Sequence, residues 1–229
     1  MTRFVTFFLA LALMVLECVV LELFGVTSVS LQMGIIVAVY LGVRAIQKEL
    51  EDKTVFTVLT KPVARPAFVV GKYAGAFATI TVTLSIIVGL KLIAASIAGF
   101  EIRTIHFVAY YGVLLQLAIV TAVAVLFASF SSTLLSSLFS FGIFVAGSLT
   151  PQLREAVQHF AEKDSPARYV AEFAVFVLPD LEKLNLSFEL THDLSVPTNY
   201  LVDATGYSVV YIGLLLYVAS LIFSRRDFS

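Results

Sequence analysis

Residues 49–73 read ELEDKTVFTVLTKPVARPAFVVGKY. The stretch is acidic at its start, apolar in its middle and punctuated by Pro62 and Pro66, and Lys48, Lys53, Lys61, Arg65 and Lys72 lie in it or at its edge. Long apolar runs flank it on both sides. Charged, proline-broken backbone between two such runs has no place in hydrocarbon, because every unsatisfied polar group there costs several kcal/mol. The chain must therefore enter a membrane, leave it to expose this stretch to water, and enter again.

Composition agrees. Of 229 residues, 59% are hydrophobic and 14% charged, against about 25% charged in an ordinary soluble domain. The mean hydropathy is +0.97. A net charge of −1 carries no signal for a nucleic acid partner, and none is expected. The expected class is an all-α integral membrane protein, residues 1–229 forming one transmembrane domain. Windows of about 20 apolar residues fall at 4–24, 26–46, 68–93, 105–127, 133–149 and 207–223, which predicts six transmembrane helices. The first run is too long for a signal-peptide core, contains Glu17 and Glu22, and is followed by no small-x-small cleavage site, so a retained helix is expected.

Lysine and arginine in short loops set the orientation. Arg3, the loop with Lys48, Lys53, Lys61 and Arg65, and Arg225-Arg226 fall on one face, which predicts cytoplasmic N- and C-termini. The opposite face carries the segment 150–204, expected to be helical between spans five and six. Leu153, Val157 and Phe160 recur at helical spacing in 151–161, and Ser165-Pro166 breaks that run. Residues 167–178 are apolar but at 12 residues too short to span. Pro179-Asp180 opens a polar stretch leading to Tyr200.

Few polar groups lie inside the spans. Glu17, Glu22, Gln32, Lys91 and Gln116 are candidates for an intramembrane polar path, since ionisable residues at membrane depth usually face a cavity or a partner. Interhelical pairing is the competing explanation. Glu22 lies 18 residues past Phe4 and Lys91 18 residues past Tyr73, near one level, where an ion pair would fit. Gly71 and Gly75 have the small-xxx-small spacing that lets helices approach closely.

No catalytic or metal motif is found. His106, His159 and His192 are far apart and Cys18 is the only cysteine, so no zinc spacing exists. Gly71-Lys72 is not a nucleotide-binding P-loop: Pro66 stands where its first glycine belongs, and Tyr73 replaces its serine or threonine. No directly bound cofactor is expected.

Residues 46–59 read as a helix ended by Thr60-Lys61-Pro62, since the residue before proline disfavours the helical region. Its apolar patch, Val55, Phe56, Val58 and Leu59, suits docking in a partner's groove or lying on anionic lipid. The run from Glu49 to Arg65, with Gly71-Lys72-Tyr73, resembles the signature of the type 2 ATP-binding cassette (ABC) permease family. Matches fall at Glu49, Thr54, Leu59, Lys61, Pro62, Val63, Arg65, Gly71 and Lys72. Leu178-Pro-Asp-Leu-Glu-Lys-Leu-Asn185 resembles the family's segment before its last span, and Phe223-Ser-Arg-Arg-Asp-Phe228 its basic end. The family's usual surface helix before the first span has no counterpart in Met1-Thr2-Arg3.

The resemblance implies a bacterial cytoplasmic-membrane permease subunit, with a second permease subunit, identical or homologous, and two separate ABC ATPase subunits that carry ATP and magnesium. It implies that 47–66 is the coupling segment between spans two and three. Glu49, Glu51, Thr54, Phe56 and Leu59 would meet the ATPase, and Lys61, Pro62 and Arg65 would set the turn. Transport, in the export direction, is the implied activity. The competing class is a non-transporting membrane scaffold or intramembrane enzyme acting through its outer segment.

Overall fold

The computed structural model describes residues 29–51, 65–97, 99, 104–160, 166–186 and 199–225. These residues form seven α-helices: α1 Val29–Glu51, α2 Arg65–Ile97, α3 Thr104–Ala128, α4 Thr133–Ser148, α5 Thr150–Phe160, α6 Pro166–Val177 and α7 Tyr200–Arg225. One 3-10 turn, Glu182–Leu184, lies between α6 and α7. The predicted first span lies outside the described residues.

Three of the helices are long and apolar enough to cross a membrane, over Pro66–Leu90, His106–Ala128 and Tyr200–Ser224. The pair α4 and α5, bent by 65° at Leu149, is a fourth candidate. The six expected spans are thus matched in part. α3 is the axis of the bundle: 67% of its spanning window is buried, against 17% for that of α2. It packs against α1, α2, α4 and α7. Its burial follows from composition, since Gln116 and Thr121 are its only strongly polar interior side chains and Thr121 Oγ1 bonds back to the Leu117 carbonyl at 2.7 Å.

Two clusters set the two ends. Ile46, Phe68, Val69, Val125, Ala128, Ala219 and Phe223 pack together at one end, with Phe68 stacked on Phe223 at 5.4 Å. Leu181, Leu184 and Ala204 belong to the larger cluster that runs toward the other end. The ends of α1, α3 and α7 and the starts of α2 and α4 therefore share one end of the bundle, here called the inner end. Helices α5 and α6 and residues 178–186 sit at the opposite, outer end. The observed helices overrun their apolar windows where polar ends project. α7 starts seven residues before the predicted 207, and Asp203 in its first turn is exposed. α2 starts at Arg65, with Pro66 in the first turn, where its missing N–H is not needed.

Close approach occurs elsewhere than the glycine spacing suggested. A Cβ on Gly71 or Gly75 would meet nothing within 4 Å. A Cβ on Gly42 would lie 2.7 Å from the Ala124 Cβ and 3.1 Å from the Thr121 carbonyl, so α1 and α3 touch backbone to backbone there. Gly42→Ala is expected to destabilise the chain by about 1–3 kcal/mol through overpacking. Gly71→Ala, in open space, should be neutral or slightly stabilising. Thermal unfolding in detergent separates them, and equal midpoints would refute the assigned contact.

Candidate functional site

At the inner end, α1 runs without a break from Val29 to Glu51. The expected span and the first turn of the expected coupling helix are one rod. Glu49 and Glu51 lie in its last turn, and Arg65 is the first residue of α2. Thr54, Phe56, Leu59, Lys61 and Pro62 lie outside the described residues. Both edges of the expected coupling segment therefore start from the same end of the bundle.

One residue ties that edge to the axis helix. Gln47 is 6% exposed. Its Nε2 donates to the Ala128 carbonyl at 3.0 Å and also to the Ser131 carbonyl. Those oxygens belong to the end of α3 and the turn into α4, where helix carbonyls have no partner of their own. A single amide thus joins α1, α3 and the α3–α4 turn near the end of α1. Sequence reading missed it. The only signal was a glutamine in register with Val39, Val43 and Ile46, which are buried on the same helix. Lys72 stands 5.5 Å from the Phe68 ring and Arg44 6.0 Å from the Tyr40 ring, so these two cations rest on aromatic faces.

The intramembrane candidates separate by level. Gln116 is 1% exposed and its Oε1 finds no partner among the described residues. Gly34 abuts Leu117 at 3.4 Å, which brings the backbone of Gln32 close to the level of Gln116. Ser85 bonds Tyr110 across α2 and α3 at 2.6 Å. Lys91 lies six residues further out on an antiparallel helix, so its level is that of Thr104, about 18 Å along the axis from Gln116 at 1.5 Å per residue. The fold brings Gln32 and Gln116 to one level and keeps Lys91 apart from them. Glu17 and Glu22 lie outside the described residues.

The outer end corrects the reading of 179–186 as a polar loop. Asp180, Leu181, Leu184 and Leu186 are all buried, Leu181 completely. The segment is a strap laid across the ends of α3 and α4, and two glycines admit it. A Cβ on Gly147 would lie 2.6 Å from the Pro179 carbonyl, and one on Gly112 2.5 Å from the Leu184 carbonyl. Leu181 N donates to the Gly147 carbonyl at 3.2 Å, Thr150 Oγ1 donates to the same oxygen at 3.0 Å, and Asp180 N donates to the Tyr207 hydroxyl at 2.8 Å. The Asp180 carboxylate, 10% exposed, pairs with Lys183 at 3.1 Å and stands 4.0 Å from Arg154. Its Oδ1 has no hydrogen-bond partner among the described residues. Bonds join the strap to α4, α5 and α7, and the close backbone approach at Gly112 seats it on α3.

Long apolar helices packed around a central axis helix are the architecture of a multi-pass membrane protein. The model of the ABC-2 family transporter proteins matches residues 27–228, and the chain belongs to that family. It is a multi-pass membrane permease of an ABC transporter, and the family works with ABC ATPase subunits. Comparison with curated proteins returns no match.

Proposed function

We propose that this chain couples ATP hydrolysis by separate ABC ATPase subunits to export across a bacterial cytoplasmic membrane, through segment 47–66. The observation that carries the reading is the union of the family match with the geometry at the inner end. The two helices that frame 52–64 start from one end of the bundle, and Gln47 locks the first of them to α3 and the α3–α4 turn. A push on the segment would then move the axis helix rather than bend a loose loop, which is the behaviour of a two-state element biased by nucleotide.

In this reading Glu49, Glu51, Thr54, Phe56 and Leu59 face the ATPase, and Lys61, Pro62 and Arg65 shape the return into α2. Two ATPase subunits hold ATP and magnesium, and a second permease subunit completes the path. The first span and a membrane-inserted α1 bring the spans to six, with the inner end and both termini cytoplasmic. Gln32 and Gln116 contribute polar groups at one level of the path. Glu17, Glu22 and Lys91 contribute elsewhere along it.

Affinity purification of the tagged chain in mild detergent tests the coupling. A P-loop ATPase is expected in the eluate, and Leu59→Asp is expected to reduce its recovery at least about tenfold, the effect of losing one buried apolar anchor. Membrane insertion should be unchanged. Equal recovery with Leu59→Asp and Phe56→Asp would overturn the coupling assignment.

A further inference from the structure

Two leucines of the strap plug the outer end of the bundle. Leu181 and Leu184 are buried in the same cluster as Leu117, Ile119 and Val120 of the axis helix. Their backbone is seated on α3 at Gly112 and on α4 at Gly147, and Tyr207 of α7 holds Asp180 N. Gln116 stands one turn further in along α3 from Gly112, whose neighbour is the Leu184 carbonyl. Residues four apart share a helix face. The buried amide of Gln116 is therefore on the side where Leu184 is seated, about 6 Å further in at 1.5 Å per residue.

Three features suit the strap to movement. Its 3-10 turn is closed by its own bonds, Leu184 N to the Leu181 carbonyl at 3.1 Å and Asn185 N to the Glu182 carbonyl at 3.0 Å. It can therefore shift as a unit without losing its shape. Its ionic tie to α5 lies at the water side. The Asp180 carboxylate pairs with Lys183 within the strap and with Arg154 across to α5, and both cations are more than half exposed. Ion pairs in such contact with solvent are weak and exchange readily. The seated arrangement also leaves two buried acceptors, Gln116 Oε1 and Asp180 Oδ1, with no hydrogen-bond partner among the described residues. Unpaired buried acceptors are costly, and water would satisfy both once the strap lifted. The closed state is thus less favourable than the burial of its leucines alone would make it.

We propose that residues 179–186 are the outer gate of the transport path. Leu181 and Leu184 close it, and the Arg154–Asp180 pair latches it to α5. Gln116 is the first polar group of the path to be uncovered when it lifts. The inference rests on the path assigned to Gln116 above, and its test separates the gate from ATPase coupling.

The accessibility of a thiol at position 116 reads the gate. Gln116→Cys is made in a Cys18→Ser chain, assembled with the co-purified ATPase in liposomes, and exposed from the outer side to a charged, membrane-impermeant methanethiosulfonate. Labelling at rest should be slow, because it samples only the open fraction. ATP turnover should speed it at least about tenfold. Asp180→Asn, which keeps the side-chain size but cuts both ion pairs, should do the same without nucleotide. Arg154→Gln, which cuts only the tie to α5, should have part of that effect. Ala38→Cys, completely buried on α1, should stay unlabelled throughout and so tells a lifted gate from a loosened bundle. Protection of position 116 in every state would overturn the proposal, as would equal labelling of position 38. Labelling raised by ATP but by neither latch variant would overturn the latch. Labelling raised by Asp180→Asn but not by ATP would uphold the gate and overturn the coupling reading.

Discussion

Gly147→Val is expected to unseat the strap at residues 178–186 and to destabilise the chain by about 3 kcal/mol or more, at the upper end of what overpacking costs. A Cβ at this position would stand 2.6 Å from the Pro179 carbonyl and 3.1 Å from the Leu181 side chain. Neither neighbour has room to give. The Pro179 carbonyl lies in backbone held by the Leu181 bond to Gly147, and Leu181 is completely buried. The valine would break that bond, strand Asp180 away from Tyr207, and free the start of α5. Gly142→Val is the control on the same helix, because a Cβ there meets nothing within 4 Å. Thermal unfolding in detergent should show a large drop for Gly147→Val and little change for Gly142→Val, and limited proteolysis should cut the first variant within the strap. Equal midpoints for the two variants would show that the strap does not depend on this contact.

The second large effect is expected at Gln47. Gln47→Leu keeps the size of the side chain but removes the donor shared by the Ala128 and Ser131 carbonyls. Leaving buried acceptors unpaired costs about 1–3 kcal/mol. Gln47→Glu is the sharper experiment. Its shape is unchanged, yet an ionised carboxylate would face two carbonyl oxygens with no proton to offer. It should be worse than leucine at neutral pH and recover as the pH falls, because burial raises the carboxyl pKa and the protonated form donates one bond. The stability is lost as pH rises through that raised pKa. Both variants should assemble with the ATPase but run ATP hydrolysis with weakened transport, since the docking residues are untouched while the link to α3 is cut. Normal coupling in Gln47→Glu at neutral pH would show that the link is not part of the drive.

The helices were legible where a long apolar run meets a sharp polar boundary. The window 105–127 became Thr104–Ala128, and 133–149 became Thr133–Ser148, the second ended by the Leu149 bend. α7 was under-read because Asp203, Thr205 and Gly206 look like loop residues, although a helix that rises past the membrane surface carries such residues in water. The strap was misread for a different reason. Pro179, Asp180, Glu182 and Lys183 are polar or turn-forming by type, and only the space left by Gly112 and Gly147, more than 30 positions away in sequence, tells that their backbone is seated against helices. Local pattern holds no record of such a contact. Gln47 escaped for a related reason: nothing in its neighbourhood says that its amide reaches carbonyls 81 and 84 residues further along. Gly71 and Gly75 show the opposite error, a suggestive spacing with nothing against it.

The 65° bend at Leu149 also bears on the bilayer itself. α4 has 16 residues, which at 1.5 Å each gives a rod of about 24 Å, against a hydrocarbon layer of about 30 Å. Its neighbours α2 and α7, of 33 and 26 residues, have no such shortfall. A helix that falls short of the hydrocarbon layer is met by local thinning, by snorkelling of its flanking residues or by pairing with another subunit, each at a cost of a fraction of a kcal/mol per Å of mismatch. Where thinning is the answer, the acyl-chain length of the surrounding lipid becomes a parameter of the transporter's working cycle.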